Sequence, residues 1–203
     1  MKNLKKIILF VVLVSGCLTT SAQNIIHKQV ESQIGQIDLS KHLIYESGIV
    51  SDYGEGYVQV LKVGEKIIGV NHVYYVPEQQ LWILFEFSHV LDQKLERSLE
   101  GILITKKNLC DQKYKPIKIL KPLITSKGIT LGDELKKILE IYGQPSLSIF
   151  LDKDNSFSNI TELLDVKEGH VLRYLPERPT EEILSEFYFE NGKLHSLLIS
   201  GIE

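Results

Sequence analysis

Six histidines, two cysteines and 26 acidic residues supply the groups that could do chemistry in this chain. Metal binding needs such groups clustered at short fixed spacings, and His27, His42, His72, His89, His170 and His195 show none. Asp152-Lys153-Asp154-Asn155-Ser156 begins like a calcium loop because its oxygens alternate. Phe157 then stands where the sharp-turn glycine belongs, and Leu163 where the bidentate glutamate belongs, so a solvated loop is expected. There is no G-x-S-x-G elbow, phosphate loop, H-E-x-x-H or paired C-x-x-C, and Gly54-Glu55-Gly56 lacks the third glycine of a dinucleotide fingerprint. His72 sits among apolar neighbours on a strand, where a hydrogen-bonded core histidine is the ordinary reading. The rival reading pairs it with a carboxylate from elsewhere in the fold and makes the protein a hydrolase. Cys110 reads as a buried structural thiol. No catalytic residue, metal site or cofactor is expected.

His72 opens the strongest β signal. Val73-Tyr74-Tyr75-Val76 and Leu81 to Phe87 flank Pro77-Glu78-Gln79-Gln80, a four-residue hairpin loop. With Val76 opposite Leu81, His72, Tyr74, Val76, Leu81, Ile83 and Phe85 share one face. Val73, Tyr75, Trp82 and Leu84 share the other, bounded by Asn71 and Glu86. Two apolar faces mean either burial on both sides or one binding surface. Tyr75 and Trp82 are the expected binding residues, as a partly exposed aromatic patch. Gly48 to Gly56 reads as a loop, Tyr57 to Lys62 and Ile67 to Val70 as strands about a turn at Val63 to Lys66, Asp92 to Leu99 as a helical turn, and Gly101 to Thr105 as a strand.

One segment has a start, body and stop that agree. In Thr125 to Pro145, Leu135, Ile138, Leu139 and Tyr142 form one helical stripe, with Asp133 as N-cap and Gly143 and Pro145 as the stop. After it come strands at Leu147 to Leu151 and Val171 to Leu175. A hairpin of Leu184 to Phe189 and Leu194 to Ser200 then turns at Asn191-Gly192. The expected fold is α+β, with an antiparallel β-rich N-terminal region and a short amphipathic helix packed on a C-terminal antiparallel sheet. No internal repeat is expected.

Lys2, Lys5 and Lys6 precede an apolar run from Ile7 to Val14, which reads as a secretory signal over 1–22, too short to span a membrane. Val14-Ser15-Gly16-Cys17 resembles the lipobox of bacterial lipoproteins, in which Cys17 is lipidated. Thr20-Ser21-Ala22 before Gln23 offers a soluble secreted form instead. Losing 1–22 removes three lysines and no acid, so the full-chain charge of −3 becomes −6, which argues against nucleic acid as a partner. The remaining segments are a tether at 23–40, the β-rich region at 41–121 and the helix-plus-sheet region at 122–203.

Gly128-Ile129-Thr130, the helix from Leu135, and Tyr142-Gly143-Gln144-Pro145 together resemble a motif of small envelope lipoproteins of the SmpA/OmlA barrel-assembly type. The β-lactamase-inhibitor-like proteins are related to these, and uncharacterised exported bacterial proteins share the longer form. Leu131-Gly132 is an addition at the helix entry, and the Ile44 to Thr105 region has no counterpart in the smallest of them. The resemblance implies a non-catalytic exported protein of the periplasm or outer membrane, binding an envelope protein partner and touching the membrane only through a lipid anchor at Cys17. A cell-wall or small-molecule binder is the alternative.

Overall fold

A computed structural model describes residues 30–40, 44–63, 65–88, 97–110, 117, 123–151, 168–176 and 183–201. The signal segment, Cys17, most of the Asp92 to Leu99 turn and the Asp152 to Ser158 loop lie outside the described residues. A two-stranded pair, β1 (Gln33–Ile34) and β2 (Ile37–Asp38), comes first. Ile34 and Ile37 are buried in the main core, so the described end of the segment expected as a tether contributes core side chains.

Helix α1 (Glu46–Tyr53) leads into β3 (Tyr57–Val63), β4 (Lys66–Val76), β5 (Leu81–Ser88) and β6 (Leu99–Thr105). Helix α2 (Leu135–Tyr142) leads into β7 (Leu147–Leu151), β8 (Gly169–Tyr174), β9 (Ile183–Glu190) and β10 (Lys193–Gly201). All eight long strands form one antiparallel sheet in the order β3-β4-β5-β6-β10-β9-β8-β7. The regions on either side of position 121 therefore share a sheet, joined where β6 meets β10.

The turns form where local chemistry asks for them. Asn191 and Gly192 take φ of 51° and 74°, the two left-handed residues of a type I′ hairpin, with Lys193 opposite Glu190. Val76 faces Leu81 and Tyr75 faces Trp82, the register that a loop of Pro77 to Gln80 dictates. The two strands expected at Ile67–Val70 and Val73–Val76 are one continuous β4.

Two expectations are corrected. Gly48 to Gly56 was expected as a loop, yet most of it is α1, a helix whose Ser47, Gly48 and Ser51 are poor helix formers. Tertiary contacts supply what propensity lacks: Ile49 is buried, and Glu46 N–H donates to the carbonyl of Arg97. The second correction is the N-cap of α2, which is Glu134. Asp133 instead turns its carboxylate back, accepting from Thr130 N–H at 2.8 Å and from Lys137 Nζ at 2.8 Å. Burial pushes the Asp133 carboxyl up, but the hydrogen bonds from Lys137 and Thr130 hold it below its ordinary value.

The order helix-then-four-strands occurs twice, and side chains match as well as elements. Ile49, Tyr53 and Gly54 close α1 as Ile138, Tyr142 and Gly143 close α2. Tyr74 on β4 donates its hydroxyl to the Gly54 carbonyl at 2.9 Å, and Tyr174 on β8 donates to the Gly143 carbonyl at 3.0 Å. Phe85 packs edge-on to Tyr74 with centroids 5.6 Å apart, and Phe187 packs edge-on to Tyr174 at 5.7 Å. Tyr53 lies 5.4 Å from Phe85, and Tyr142 lies 5.2 Å from Phe187. By these equivalences and the strand registers, Leu103 of β6 corresponds to Leu198 of β10, and these two face each other across the central pair. A pseudo-twofold axis thus passes between them. The chain is an internal repeat, contrary to expectation.

Burial pushes the Tyr74 and Tyr174 hydroxyls up to about 12, so both remain neutral donors at working pH. Tyr74→Phe and Tyr174→Phe are each expected to cost about 1 kcal/mol, and to cost alike, because each removes one bond to a cap carbonyl. Urea unfolding of the two variants measures this; losses differing several-fold would count against equivalent roles.

Candidate functional site

The core lies on both faces of the sheet. On one face, the rings just described join Ile34, Ile83, Ile102, Ile129, Leu197 and Ile199. On the other, Val73, Trp82, Leu84, Leu103, Leu109, Cys110, Val171, Tyr188 and Leu198 form a second buried cluster. Trp82 and Tyr75 pack as a tilted ring pair with centroids 5.0 Å apart, as their opposition predicts. The patch is not open as expected, however. Trp82 is only 4% exposed, because it belongs to this second cluster with Leu109 and Cys110 of the segment after β6. Tyr75 is half-buried beside it.

His72 is buried on β4, facing the first core, between the rings of Tyr74 and Phe87. Its Nε2 lies 2.7 Å from Glu46 Oε1 at the start of α1, and Arg97 donates to Glu46 Oε2 at 2.7 Å. The carboxylate that the hydrolase reading needed is therefore present, but His72 and Glu46 tie α1 to β4 inside the fold. Among the described residues, His72 Nδ1 and Asn71 Oδ1 are buried without a hydrogen-bond partner. In the second half Leu135 and Leu172 stand where Glu46 and His72 stand in the first, and there both positions join the apolar core.

Burial pushes the Glu46 carboxyl up, but hydrogen bonds from Arg97 and His72, with their charges, hold it below its ordinary 4.5. A carboxyl depressed in the folded state contributes stability above its unfolded value and loses it as pH falls through the folded one. Glu46→Gln is thus expected to be less stable than wild type at neutral pH. The difference should shrink below about pH 4.5. Chemical unfolding of both proteins between pH 7 and 3 checks this, and a gap that widens in acid would overturn it.

Sequence reasoning missed two buried carboxylates, Glu31 and Glu186. Glu31, 1% exposed, accepts from Ser126 Oγ at 2.9 Å, from the Ser32 and Gln33 backbone N–H groups at 3.1 and 3.0 Å, and from the Tyr142 hydroxyl. Its own N–H donates to Ser185 Oγ at 3.3 Å. The Lys127 ammonium lies 4.3 Å from the Tyr142 ring centroid. Burial pushes Lys127 down, against the upward pull of Glu31. This arrangement locks the N-terminal segment onto α2 and β9. Nothing in the local sequence marks Glu31, since its side-chain donors come from 95 and 111 residues away.

The open chemistry is at the two outer strands. β3 exposes Val58 (46%) and Val60 (47%), and β7 exposes Phe150 (75%) and Leu147. Phe150 stacks on His170 at 4.2 Å, and Ser148 Oγ lies 2.7 Å from His170 Nε2. Burial pushes the His170 imidazole down, favouring its neutral form. Among the described residues no group of three or more His, Cys, Asp or Glu is arranged to hold a metal ion. No described helix is long and apolar enough to cross a membrane.

No family model and no curated protein matches this chain. Among solved structures, it is similar to a Streptococcus mutans protein described as a candidate beta-lactamase inhibitor, at 15% identity and a TM-score of 0.27. The match covers 86% of this chain and 91% of that one.

Proposed function

We propose that the chain is a non-catalytic exported protein, lipid-anchored through Cys17, that binds an envelope protein partner. In this reading each helix lies on its own four-stranded half, and the partner meets the β3 side of the first half. The exposed Val58 and Val60 on the outer strand β3 carry the proposal. Adjacent solvent-facing valines on a sheet margin suit a protein surface that completes their burial. Tyr57 and Tyr75 extend the surface on the opposite face, where Tyr75 stands two residues along β4 from Val73, the residue opposite Tyr57. Trp82 backs Tyr75 from within. Against catalysis stands the placement of His72, which is buried and engaged by Glu46.

The test is recovery of partners from the native envelope with the tagged, exported protein, beside a Val58→Glu/Val60→Glu variant. A partner whose yield falls at least tenfold in the variant is the expected result, as for loss of an anchor. Equal yields would remove β3 from the reading, and no reproducible partner would remove the reading itself. Mass spectrometry of the mature N-terminus tests the anchor: acylated Cys17 is expected, and Gln23 as first residue would refute it.

A further inference from the structure

We infer that β7 is a self-association strand, pairing antiparallel with β7 of a second copy of this chain. It lies at the opposite margin of the sheet from the β3 surface, so this inference does not rest on the partner reading above. The two margins differ in how they are protected. Outer strands ordinarily discourage pairing with charges, proline or bulges. β3 has a register shift between Leu61 and Lys62. β7 pairs with β8 without a shift, and Leu147-Ser148-Ile149-Phe150-Leu151 contains no charge and no proline. Among the described residues its other side has no strand.

The occupant follows from the order of these five residues. Antiparallel pairing about Ile149 sets Leu147 against Leu151, Ile149 against itself, and Ser148 against Phe150. Alternation keeps Leu147, Ile149 and Leu151 on one face and Ser148 and Phe150 on the other. Reversal about the centre therefore brings apolar residues together on the first face, and no like charges meet anywhere. On the second face Phe150, 75% exposed and backed by its own His170, gains the neighbouring copy's Ser148 edge as cover.

Sedimentation equilibrium of the mature chain, in detergent where it is acylated, is expected to show a concentration-dependent dimer. Phe150→Glu and Ser148→Lys should each weaken it roughly tenfold or more. Combined in one chain they should restore it, because the new lysine of each copy then faces the new glutamate of the other. Both positions are exposed, and circular dichroism confirms that the variants fold. Ile149→Cys gives an independent readout: at the centre of an antiparallel pair the two Cα atoms lie about 4.5–5.5 Å apart, within disulfide reach. A covalent dimer under oxidation is expected. A monomer at the highest attainable concentration, a dimer indifferent to both charge changes, a double variant that folds but stays monomeric, or no cross-link at position 149 would each overturn the inference.

Discussion

Trp82→Ala should lower the unfolding free energy by roughly 3–5 kcal/mol, the cost of removing a large aromatic side chain from a packed core. Its ring is nearly inaccessible, and it shares a buried cluster with Val73, Leu84, Leu103, Leu109 and Cys110. Truncation removes the indole and leaves Tyr75 without the ring it packs against at 5.0 Å. Tyr75→Ala should cost clearly less, since Tyr75 is only half-buried. Thermal or urea unfolding of the two variants separates these outcomes. A Trp82→Ala loss under about 1.5 kcal/mol would mean that the side chain is not core, and would restore it as a surface anchor. The comparison also bears on partner binding. A Tyr75 variant that folds normally but loses the partner locates recognition at this hairpin, with Trp82 as its rigid support.

The hairpin was legible because its information is local. Four turn residues between two apolar runs fix which residues face each other, and Asn191-Gly192 does the same for β9 and β10. Whether a face is covered is not local. Tyr75 and Trp82 share a side of the sheet whichever way that side is used, and the cover over Trp82 comes from a segment that begins after β6. Helix α1 escaped detection for a related reason. Ser47, Gly48 and Ser51 argue against a helix, and the ties that hold it reach to His72 and Arg97, 26 and 51 residues beyond Glu46. In α2 the apolar stripe is intrinsic to the segment, so the helix was found and only its cap was displaced by one residue.

The repeat was hidden by uneven spacing. Tyr53 and Tyr142 lie 89 residues apart, Tyr74 and Tyr174 100, and Phe85 and Phe187 102. No single offset aligns them, although the three rings and the glycine carbonyl adopt the same geometry in each half. Between these fixed points the halves differ in chemistry. The first half sets a carboxylate and an imidazole where the second has Leu135 and Leu172. The second sets Ser185, beside Glu31, where the first has Ile83. What was kept is the aromatic packing and the cap. The polar clusters have no counterpart in the opposite half, and for that reason neither could be inferred from the other.

Glu31→Ala is expected to cost roughly 2–4 kcal/mol, the scale of several buried donors left without an acceptor. Removing the carboxylate leaves the Tyr142 and Ser126 hydroxyls and the Ser32 and Gln33 N–H groups to find water in a site that is almost closed. Part of the loss is offset because the mutant no longer buries a charge, which keeps the estimate below that for a simple broken ion pair. A double-mutant cycle with Tyr142→Phe isolates one contact. Burial, together with the bond to Glu31, pushes the Tyr142 hydroxyl well above its ordinary range, so it is a neutral donor throughout. A hydrogen bond to a charged acceptor should then appear as a coupling of about 1.5–3 kcal/mol. The cycle also reports on architecture. Tyr142 closes α2 and touches Tyr174 and Phe187, whereas Glu31 precedes the first strand pair and reaches β9 through Ser185. A coupling near zero would mean that the Tyr142 bond adds nothing to what Ile34, Ile37, the Gly35 N–H to Ile124 carbonyl bond and the Glu31 bonds with Ser126 and Ser185 already supply. A coupling of the expected size, with faster amide exchange at Ser32 and Gln33 in Glu31→Ala, would make this carboxylate the point where the chain ahead of the fold is fastened to its second half.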